Sequence, residues 1–218
     1  MTLSVHPRDA ASAAVVPIIL AAGDSSRMGH PKALLPLGDQ TFLTAILVEL
    51  GQLGFPPPRV ILGRDAHRIE PLIRGRRLQV FINQDPGRGQ LSSIQLGLAN
   101  VDPGCEGCLV WPVDQPGVPR HVVLGLLDLF LSGDAPIALP CYGDRRGHPA
   151  IFRHDLFWEL MHASPEGGAK QLVSRYRDQT AVLITDEPST VEDIDTPEDY
   201  FIFTGETLEA ALARTSGK

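Results

Sequence analysis

The chain has 218 residues, of which 43% are hydrophobic and 21% are charged, as in an ordinary globular domain. This composition excludes a generally disordered, collagen-like or coiled-coil protein. Nineteen Lys and Arg residues against 26 Asp and Glu residues give a net charge of −7, which argues against broad, non-specific binding to nucleic acid.

The length favours one domain, which we expect over residues 14–218 after a loose leader at residues 1–13. The apolar stretch at residues 10–23 resembles the core of a signal peptide. However, Asp9 precedes it and the stretch is too short to span a bilayer. We therefore expect no membrane partner.

Apolar runs that are typical of buried strands alternate along the chain with amphipathic stretches that are typical of helices. The predicted strands cover residues 15–21, 59–63, 78–83, 108–113, 136–140, 148–152 and 181–185. The predicted helices cover residues 41–53, 65–73, 92–100, 119–131, 154–162, 169–176 and 196–203, where the last helix begins. This alternation predicts βαβ units and an α/β fold with a mostly parallel central sheet. Residues 142–151 break the rhythm and predict a small β-hairpin insertion beside the sheet.

The cysteines give a weaker signal. Cys105 and Cys108 form a CxxC, but a zinc or redox site would need a second pair or a His pair at ligand spacing, and the sequence has neither. Together with Cys141, they are more typical of the reduced thiols of a cytoplasmic protein.

The segment after the first strand carries the strongest chemical signal, because ligands of open parallel sheets bind beyond the carboxyl ends of the strands. Residues 20–32 are rich in small side chains, which lets backbone N–H groups approach a ligand, and they include Arg27 and Lys32. Backbone donors and cations together suit a polyphosphate. The spacing of the glycines and Lys32 does not fit a Walker A loop, and no Ser or Thr follows the lysine.

The segment after the third strand, residues 83–93, nearly spells GxGxxG with Gly87 and Gly89, but Ser92 replaces the third glycine. One interpretation is a turn followed by a helix that Ser92 caps. The other is a loop that contacts the base or the ribose of a nucleotide. The residues alone leave both interpretations open.

Two aspartates far apart in the sequence are candidates for a metal site. Asp114 stands between two prolines after a strand, where it either ends that strand or holds Mg²⁺. Near the carboxyl end of the chain, Thr196 is typical of a helix N-cap, which leaves Asp193 and Asp195 without a capping role. Asp114 and Asp195 together would form an oxygen-rich Mg²⁺ site.

A histidine is a further candidate. Gly147-His148-Pro149 either places an imidazole over the site or forms a turn into the next strand. No Ser-His-Asp or Cys-His arrangement stands out, so the residues do not indicate a covalent mechanism.

Several of these segments share the order and spacing of a known family. The longest is Leu20-Ala21-Ala22-Gly23-x-Ser25-x-Arg27-Met28-Gly29-x-x-Lys32-x-Leu34-Leu35-Pro36. It is followed by Gly89-x-x-x-Ser93, Asp114-x-Pro116, Gly147-His148-Pro149 and Asp193-Ile194-Asp195-Thr196-Pro197. Spread over residues 16–200, they resemble the nucleotidyltransferases of molybdenum cofactor biosynthesis, and among them most resemble the cytidylyltransferases.

The resemblance implies a Rossmann-like, three-layer fold that binds a nucleoside triphosphate and Mg²⁺. It implies that the nucleotide is contacted by Leu20, Ala21, Ala22, Gly23, Ser25, Arg27, Lys32, Gly89, Ser93 and Asp114, with Ala21, Ala22 and Gly23 facing the base. Among these, Arg27 and Lys32 would hold the triphosphate and act in catalysis with Asp114. Asp114 and Asp195 would bind the metal, and His148 would lie toward the acceptor.

Two positions bear on the base. Guanylyltransferases of the family usually carry glycine where this chain has Ala22, which favours CTP over GTP. Gln90 stands where relatives typically carry methionine, and this is the main departure from the family pattern.

The resemblance and the residues together predict Mg²⁺-dependent transfer of CMP from CTP to a phosphorylated acceptor such as molybdopterin, with release of pyrophosphate. One alternative is a related transferase that uses GTP or another nucleotide with a different acceptor, such as a sugar phosphate. Another is a non-catalytic nucleotide-binding protein that assists a molybdoenzyme or its maturation factor. An NAD-dependent oxidoreductase would need a glycine at position 92, which the chain lacks.

Overall fold

The computed structural model describes residues 14–99, 101–102 and 104–216, so the leader expected at residues 1–13 lies outside the described residues. The strands in the described part are β1 (Val15–Ala21), β2 (Pro36–Leu37), β3 (Gln40–Thr41), β4 (Arg59–Leu62), β5 (Gln79–Ile82), β6 (Gly107–Pro112), β7 (Ile137–Tyr142), β8 (Arg145–Arg146), β9 (Ala150–Arg153) and β10 (Thr180–Ile184). The α-helices there are α1 (Phe42–Gln52), α2 (Ala66–Ile73), α3 (Gln90–Leu98), α4 (Arg120–Leu131), α5 (Phe157–His162), α6 (Gly168–Arg175), α7 (Pro197–Thr204) and α8 (Leu208–Ser216). Across these residues, every helix is too short or too polar to cross a membrane.

The central sheet has the strand order β10-β7-β9-β6-β1-β4-β5, and β8 pairs with the end of β7. β6, β1, β4 and β5 run parallel to one another, and β7 runs parallel to β10. β9 runs antiparallel to both of its neighbours, β6 and β7. The prediction of a mostly parallel α/β sheet is confirmed, and the carboxyl ends of β1, β4 and β6 lie side by side.

The two cores of the protein explain why the central strand β1 is apolar along its whole length. In β1, Val15 and Ile19 belong to the core on one face of the sheet, whereas Ile18 and Leu20 belong to the core on the other. The first face packs against α1, α2, α4, α7 and α8, and the second packs against α3, α5 and α6. A strand covered on both faces has no side that favours polar residues. The expected three-layer arrangement follows.

The insertion at residues 142–151 is integrated into the sheet more deeply than its sequence predicts. β7 and β8 form the expected hairpin, in which Tyr142 pairs with Arg145. The chain then enters the central sheet as β9, which lies between β6 and β7 and contributes side chains to both cores. The prediction that the insertion lies beside the main sheet is therefore wrong for β9.

α3 begins before the predicted helix at residues 92–100. Its first residue is Gln90 and its N-cap is Gly89, whose φ of 82° lies in the left-handed region that favours glycine. The Ser92 hydroxyl donates a hydrogen bond back to the Gly89 carbonyl at 2.8 Å and does not cap the helix. The interpretation of Ser92 as the helix cap is wrong, because the short 3-10 turn Pro86–Arg88 delivers the chain into the helix earlier.

The carboxyl-terminal helices differ from the prediction in number. Thr196 caps α7 as expected, since its hydroxyl accepts a hydrogen bond from the backbone N–H of Asp199 at 3.2 Å. The helix after Thr196 is not the last one, because α8 follows it. α8 was not predicted from the sequence, and it buries Leu208 and Ala211 in the first core.

The segment before β9 is tightly packed around Gly147. A Cβ added at Gly147 would lie 2.0 Å from the carbonyl oxygen of Thr190, which also accepts a hydrogen bond from the His148 N–H. Because a backbone carbonyl would have to move, we expect Gly147→Ala to lower the free energy of unfolding by about 1–3 kcal/mol. Urea unfolding measures this change.

The matched control is Gly133→Ala, because an added Cβ there meets no atom within 4 Å. We expect this control to change the free energy of unfolding by less than about 0.5 kcal/mol. Equal stability of the two variants would contradict the tight packing at Gly147.

Candidate functional site

A cleft of about 380 Å³ opens where β1, β4 and β6 end. Its walls are formed by residues 20–27 after β1, 63–65 after β4 and 112–114 after β6, together with the first turn of α3. The predicted site residues that line this cleft are Leu20, Ala21, Ala22, Gly23, Ser25, Arg27, Lys32, Gly89, Ser93, Asp114 and Asp195. His148 is the predicted site residue that the structure places outside the lining.

Lys32 joins the two aspartates of the cleft. Its Nζ lies 2.8 Å from Oδ2 of Asp114 and donates a second hydrogen bond to Oδ1 of Asp195. The three side chains are mostly buried, with exposed fractions of 11% for Lys32, 21% for Asp114 and 27% for Asp195. The structure therefore brings together the amino-terminal cation and the two distant aspartates, as the sequence hypothesis requires.

Arg27 extends this cationic cluster to the mouth of the cleft. Its Nη2 donates a hydrogen bond to Oδ2 of Asp195 at 2.7 Å, while 69% of the Arg27 side chain is exposed. An ion pair with so exposed a partner is screened by water and contributes little to stability. The position of Arg27 suits contact with an incoming anion.

Ser25 shapes the loop that presents Lys32. Its φ of 43° lies in the left-handed region, and its carbonyl accepts hydrogen bonds from the N–H groups of Met28 and Gly29, both at 3.1 Å. Its hydroxyl accepts a hydrogen bond from the backbone N–H of Lys32 at 3.2 Å. These bonds fold the loop back on itself and fix where Lys32 leaves it.

The two aspartates are held together by contacts between their own segments. The N–H of Ile194 donates a hydrogen bond to the Asp114 carbonyl at 3.0 Å. The buried Gln115 donates from Nε2 to Oδ1 of Asp193 at 2.8 Å. Two bonds thus join the turn after β6 to the segment before α7, and they set the separation of Asp114 and Asp195.

Burial and charge act in opposite directions on the pKa values of this cluster. Burial lowers the pKa of Lys32, but Asp114 and Asp195 together raise it above its ordinary value of 10.5. Burial raises the pKa of Asp195, but Lys32 and Arg27 bring it below its ordinary value of 3.8. Burial and the charge of Asp114 raise the pKa of Asp193. At neutral pH, Lys32 is therefore positively charged and Asp195 is negatively charged.

The oxygens of the aspartates are of the kind that a hard divalent cation prefers. Oδ1 of Asp114 is buried and has no hydrogen-bond partner among the described residues. Over the same residues, no group of three or more His, Cys, Asp or Glu side chains is arranged to hold a metal ion. Asp114 and Asp195 fit such an ion when water or a bound phosphate supplies its remaining ligands.

Part of the cleft lining is built from small and neutral groups. Ser93 is 4% exposed, and its hydroxyl accepts a hydrogen bond from Nδ2 of the buried Asn83 at 2.9 Å. The same amide donates to the Ser92 hydroxyl at 2.9 Å. The first turn of α3 is therefore fixed to the end of β5, and a ligand there meets uncharged polar atoms.

The wall of the cleft that follows β4 was not predicted from the sequence. Gly63, Arg64 and Asp65 line the cleft. A Cβ added at Gly63 would lie 2.6 Å from the Ala22 carbonyl oxygen, so the backbones of the two loops touch. The rule that ligands bind beyond strand ends could have found this wall, because β4 lies beside β1 in the parallel sheet.

His148 lies near enough to Asp114 to be affected by its charge, although it does not line the cleft. Burial lowers the pKa of His148 below its ordinary 6.5, while Asp114 and a hydrogen bond to the Val110 backbone oppose that shift. Its Nδ1 is buried and has no hydrogen-bond partner among the described residues. The imidazole is neutral at neutral pH, and its role toward an acceptor stays a prediction.

Comparisons with known proteins extend over most of the chain. Residues 17–180, well over half of the sequence, match the MobA-like NTP transferase domain. A probable molybdenum cofactor guanylyltransferase of Mycobacterium marinum is 25% identical over 195 residues, which cover 88% of this chain and 94% of the relative.

Solved structures are also similar to this chain over most of its length. The crystal structure of Rv0371c from Mycobacterium tuberculosis H37Rv superposes with a TM-score of 0.79 at 30% identity, and the match covers 88% of this chain and 99% of that one. The structure of Rv0371c in complex with manganese superposes with a TM-score of 0.74 at 28% identity, with the same two coverages. The likeness therefore extends over most of the fold.

The lowered pKa of His148 predicts how stability depends on pH. Below pH 6.5, the unfolded chain binds a proton at this residue that the folded protein binds only at lower pH. The contribution of His148 to the free energy of unfolding is therefore present above pH 6.5 and is lost as the pH falls through the lowered value. We expect the stability difference between the wild type and His148→Asn to shrink between pH 8 and pH 5, measured by urea unfolding. A difference that stays constant over this range would contradict the prediction.

Proposed function

The chain belongs to the MobA-like NTP transferase family and is a nucleotidyltransferase; we propose that it transfers CMP from CTP to the phosphate of molybdopterin, with Mg²⁺ as its metal. The observation that carries the proposal is the meeting of Lys32, Asp114 and Asp195 in a cleft at the carboxyl ends of parallel strands. The names of the relatives support molybdopterin as the acceptor. A different phosphorylated acceptor, such as a sugar phosphate, is the alternative that an acceptor panel tests.

The transfer needs reactants in line and charge neutralised. A phosphate oxygen of the acceptor attacks the α-phosphorus of the nucleotide, and the bond from that phosphorus to the bridging oxygen breaks. Pyrophosphate leaves with the electron pair of that bond. Because a phosphate monoester is largely ionised at neutral pH, the attack needs no strong general base.

The cations of the cleft are placed to stabilise the leaving group. Lys32, which is mostly buried, offers its ammonium to the triphosphate, and Arg27 adds a guanidinium from the mouth. Positioned charges of this kind stabilise the negative charge that develops as pyrophosphate departs. Ser25 acts through Lys32, because it fixes the loop from which that side chain extends.

Asp114 and Asp195 would hold the Mg²⁺ ion. The buried, unpartnered Oδ1 of Asp114 and the oxygen-only donor set fit this metal. When bound, Mg²⁺ supplies charge neutralisation and polarises phosphate oxygens.

The base would lie against the small residues of the lining, Ala21, Ala22, Gly23, Gly89 and Ser93. Ala22 lines the cleft and packs in the second core with 5% of its surface exposed, and guanylyltransferases of the family usually carry glycine there. This difference from the guanylyltransferases supports CTP. GTP is the second candidate, because the curated relatives are named guanylyltransferases. We also propose a cytoplasmic location, which the three free thiols support.

Asp114→Asn tests the metal site. Loss of one charged ligand should raise the Mg²⁺ concentration for half-maximal activity by about tenfold or more, measured as pyrophosphate release. Asp193→Asn is the matched control, since that carboxylate bonds to Gln115 and makes no hydrogen bond or ion pair with Lys32 in the structure. We expect a smaller shift in the control. An unchanged Mg²⁺ requirement in Asp114→Asn would overturn the assignment.

Thermal stability in the presence of Mg²⁺ and each of CTP, GTP, ATP and UTP tests the base. A nucleotide at about 100 times its Kd stabilises the fold by roughly 2.7 kcal/mol, so the preferred one should raise the Tm most. We expect this to be CTP, and we expect Ala22→Gly to move the preference toward GTP. A larger shift with GTP in the wild type would favour guanylyl transfer.

A further inference from the structure

The β5 edge of the central sheet is apolar and exposed. β5 is the last strand in the sheet order, and among the described strands it pairs with β4 alone. Val80 and Ile82 are each 37% exposed, and in the parallel register they lie beside Val60 and Leu62, which belong to the first core. α2 packs on that same face, and its Leu72 is 47% exposed. The edge therefore offers apolar side chains to a partner.

The main chain of β5 also offers hydrogen-bonding groups at this edge. The N–H groups of Gln79 and Asn83 donate toward β4, to carbonyls at either end of the β4 segment, at 2.9 Å and 2.8 Å. Because successive residues of a strand direct these groups to opposite sides, the N–H and C=O groups of Val80 and Ile82 point away from the sheet. An edge of this kind is a template for a further strand.

Charged residues flank β5 but do not interrupt it. Arg76 and Arg77 precede the strand and Asp85 follows it, and all three are exposed. Over the part of the chain that the structure describes, none of these three side chains forms an ion pair. Edge strands that resist association often carry a charge or a proline, whereas β5 has the sequence QVFI. Its charges are therefore available at the two ends of an apolar strand.

A second copy of the chain matches the apolar pattern of β5. Most homodimers have two-fold symmetry, and an axis perpendicular to the sheet sets β5 antiparallel to its own copy. Residues that lie opposite each other then share a face of the sheet. With the axis at Phe81, Val80 lies opposite Ile82 of the second copy, and Ile82 lies opposite its Val80. The outward N–H and C=O groups of these residues meet there as a hydrogen-bonded pair of an antiparallel ladder.

The charges that flank β5 select the same register. Arg77 and Asp85 stand equally far from Phe81 in the sequence, so each Arg77 lies opposite Asp85 of the second copy. Opposite charges in facing positions stabilise a strand pair, and like charges destabilise it. With the axis at Val80, Asp85 would instead lie opposite Gly75, and the charge match would be lost.

We propose that β5 pairs antiparallel with β5 of a second copy of this chain, so that two sheets join into one across a two-fold axis at Phe81. The pairing supplies main-chain partners for Val80 and Ile82 and covers their side chains. It also places an ion pair between Arg77 and Asp85 at each end of the joined strands. The pairing does not depend on the proposed function.

Sedimentation velocity of the full chain over a wide range of concentration tests the pairing. We expect a dimer whose fraction rises with concentration. Arg77→Asp and Asp85→Arg each place like charges opposite one another, and the symmetry repeats the change at both ends of the strands. Each variant should therefore raise the Kd of the dimer by about tenfold or more.

A charge swap distinguishes this register from a general effect of charge. The double variant Arg77→Asp/Asp85→Arg again sets opposite charges face to face, so we expect it to regain the Kd of the wild type. An equal mixture of the two single variants should also associate, because each chain then supplies the charge that the other needs. If Arg77→Asp does not fold, Arg77→Gln removes the attraction and should weaken the dimer to a smaller extent.

Arg177→Asp is the matched control. It makes the same change of charge at another exposed arginine, just before β10, the opposite edge of the sheet, where four of the five strand residues are half-buried. We expect this variant to leave the Kd of the dimer unchanged.

Hydrogen exchange locates the contact. The amide N–H groups of Val80 and Ile82 should exchange more slowly as the concentration of the wild type rises, and should stay fast in Arg77→Asp. A chain that stays monomeric at every concentration would overturn the pairing and leave the edge to a strand of another protein. A dimer that Arg77→Asp does not weaken, or a double variant that associates as poorly as the single variants, would overturn it too.

Discussion

The contact on which the site depends is the ammonium of Lys32 between the carboxylates of Asp114 and Asp195. Two carboxylates held this close repel each other, and each loses water in a cleft where all three side chains are mostly buried. Removing one partner of such a cluster leaves an uncompensated charge and costs more than the intact pair contributes to stability. The cluster is therefore stable when intact, or when another cation takes the place of the ammonium. A ligand that combines phosphate and metal would supply such a cation, and its phosphate would give the ammonium a new partner.

The sheet supplies the geometry that this cluster needs. β1 and β6 end side by side, and the N–H of Val113 donates a hydrogen bond to the Leu20 carbonyl at 3.0 Å. The indole of the buried Trp111 donates to the Gln115 carbonyl at 2.9 Å and fixes the turn that carries Asp114. Lys32 and its carboxylates therefore extend from segments that main-chain bonds already hold, so little backbone order has to be created when a ligand binds.

The parts of the fold that the sequence predicts are those that local pattern determines. Continuous apolar runs mark strands buried on both faces, and the side-chain chemistry of Thr196 marks the start of α7. The place of β9 in the sheet is not determined by its local sequence, because an apolar run of four residues pairs equally well at the edge or in the interior of a sheet. The start of α3 was missed for a similar reason, since the left-handed backbone of Gly89 and not the hydroxyl of Ser92 begins it. In the site, Lys32 and Asp114 follow from the strand-end rule, whereas Asp195 was a candidate because it has no capping role. Lys32 and Asp195 are 163 positions apart, and only the fold shows that they touch.

In the function that we propose, different parts of the cleft lining would serve the chemistry of transfer and the choice of base. The charged end is built from Lys32, Asp114 and Asp195, whose contacts would serve any nucleoside triphosphate equally, because the triphosphate is the same in all of them. Another part of the lining is built from backbone and small side chains, and there Gly63 and Ala22 touch through their main chains. In the function that we propose, the choice of base would depend on the walls around Ala22 and Gly63. A change of donor nucleotide would then require no change at Lys32, Asp114 or Asp195.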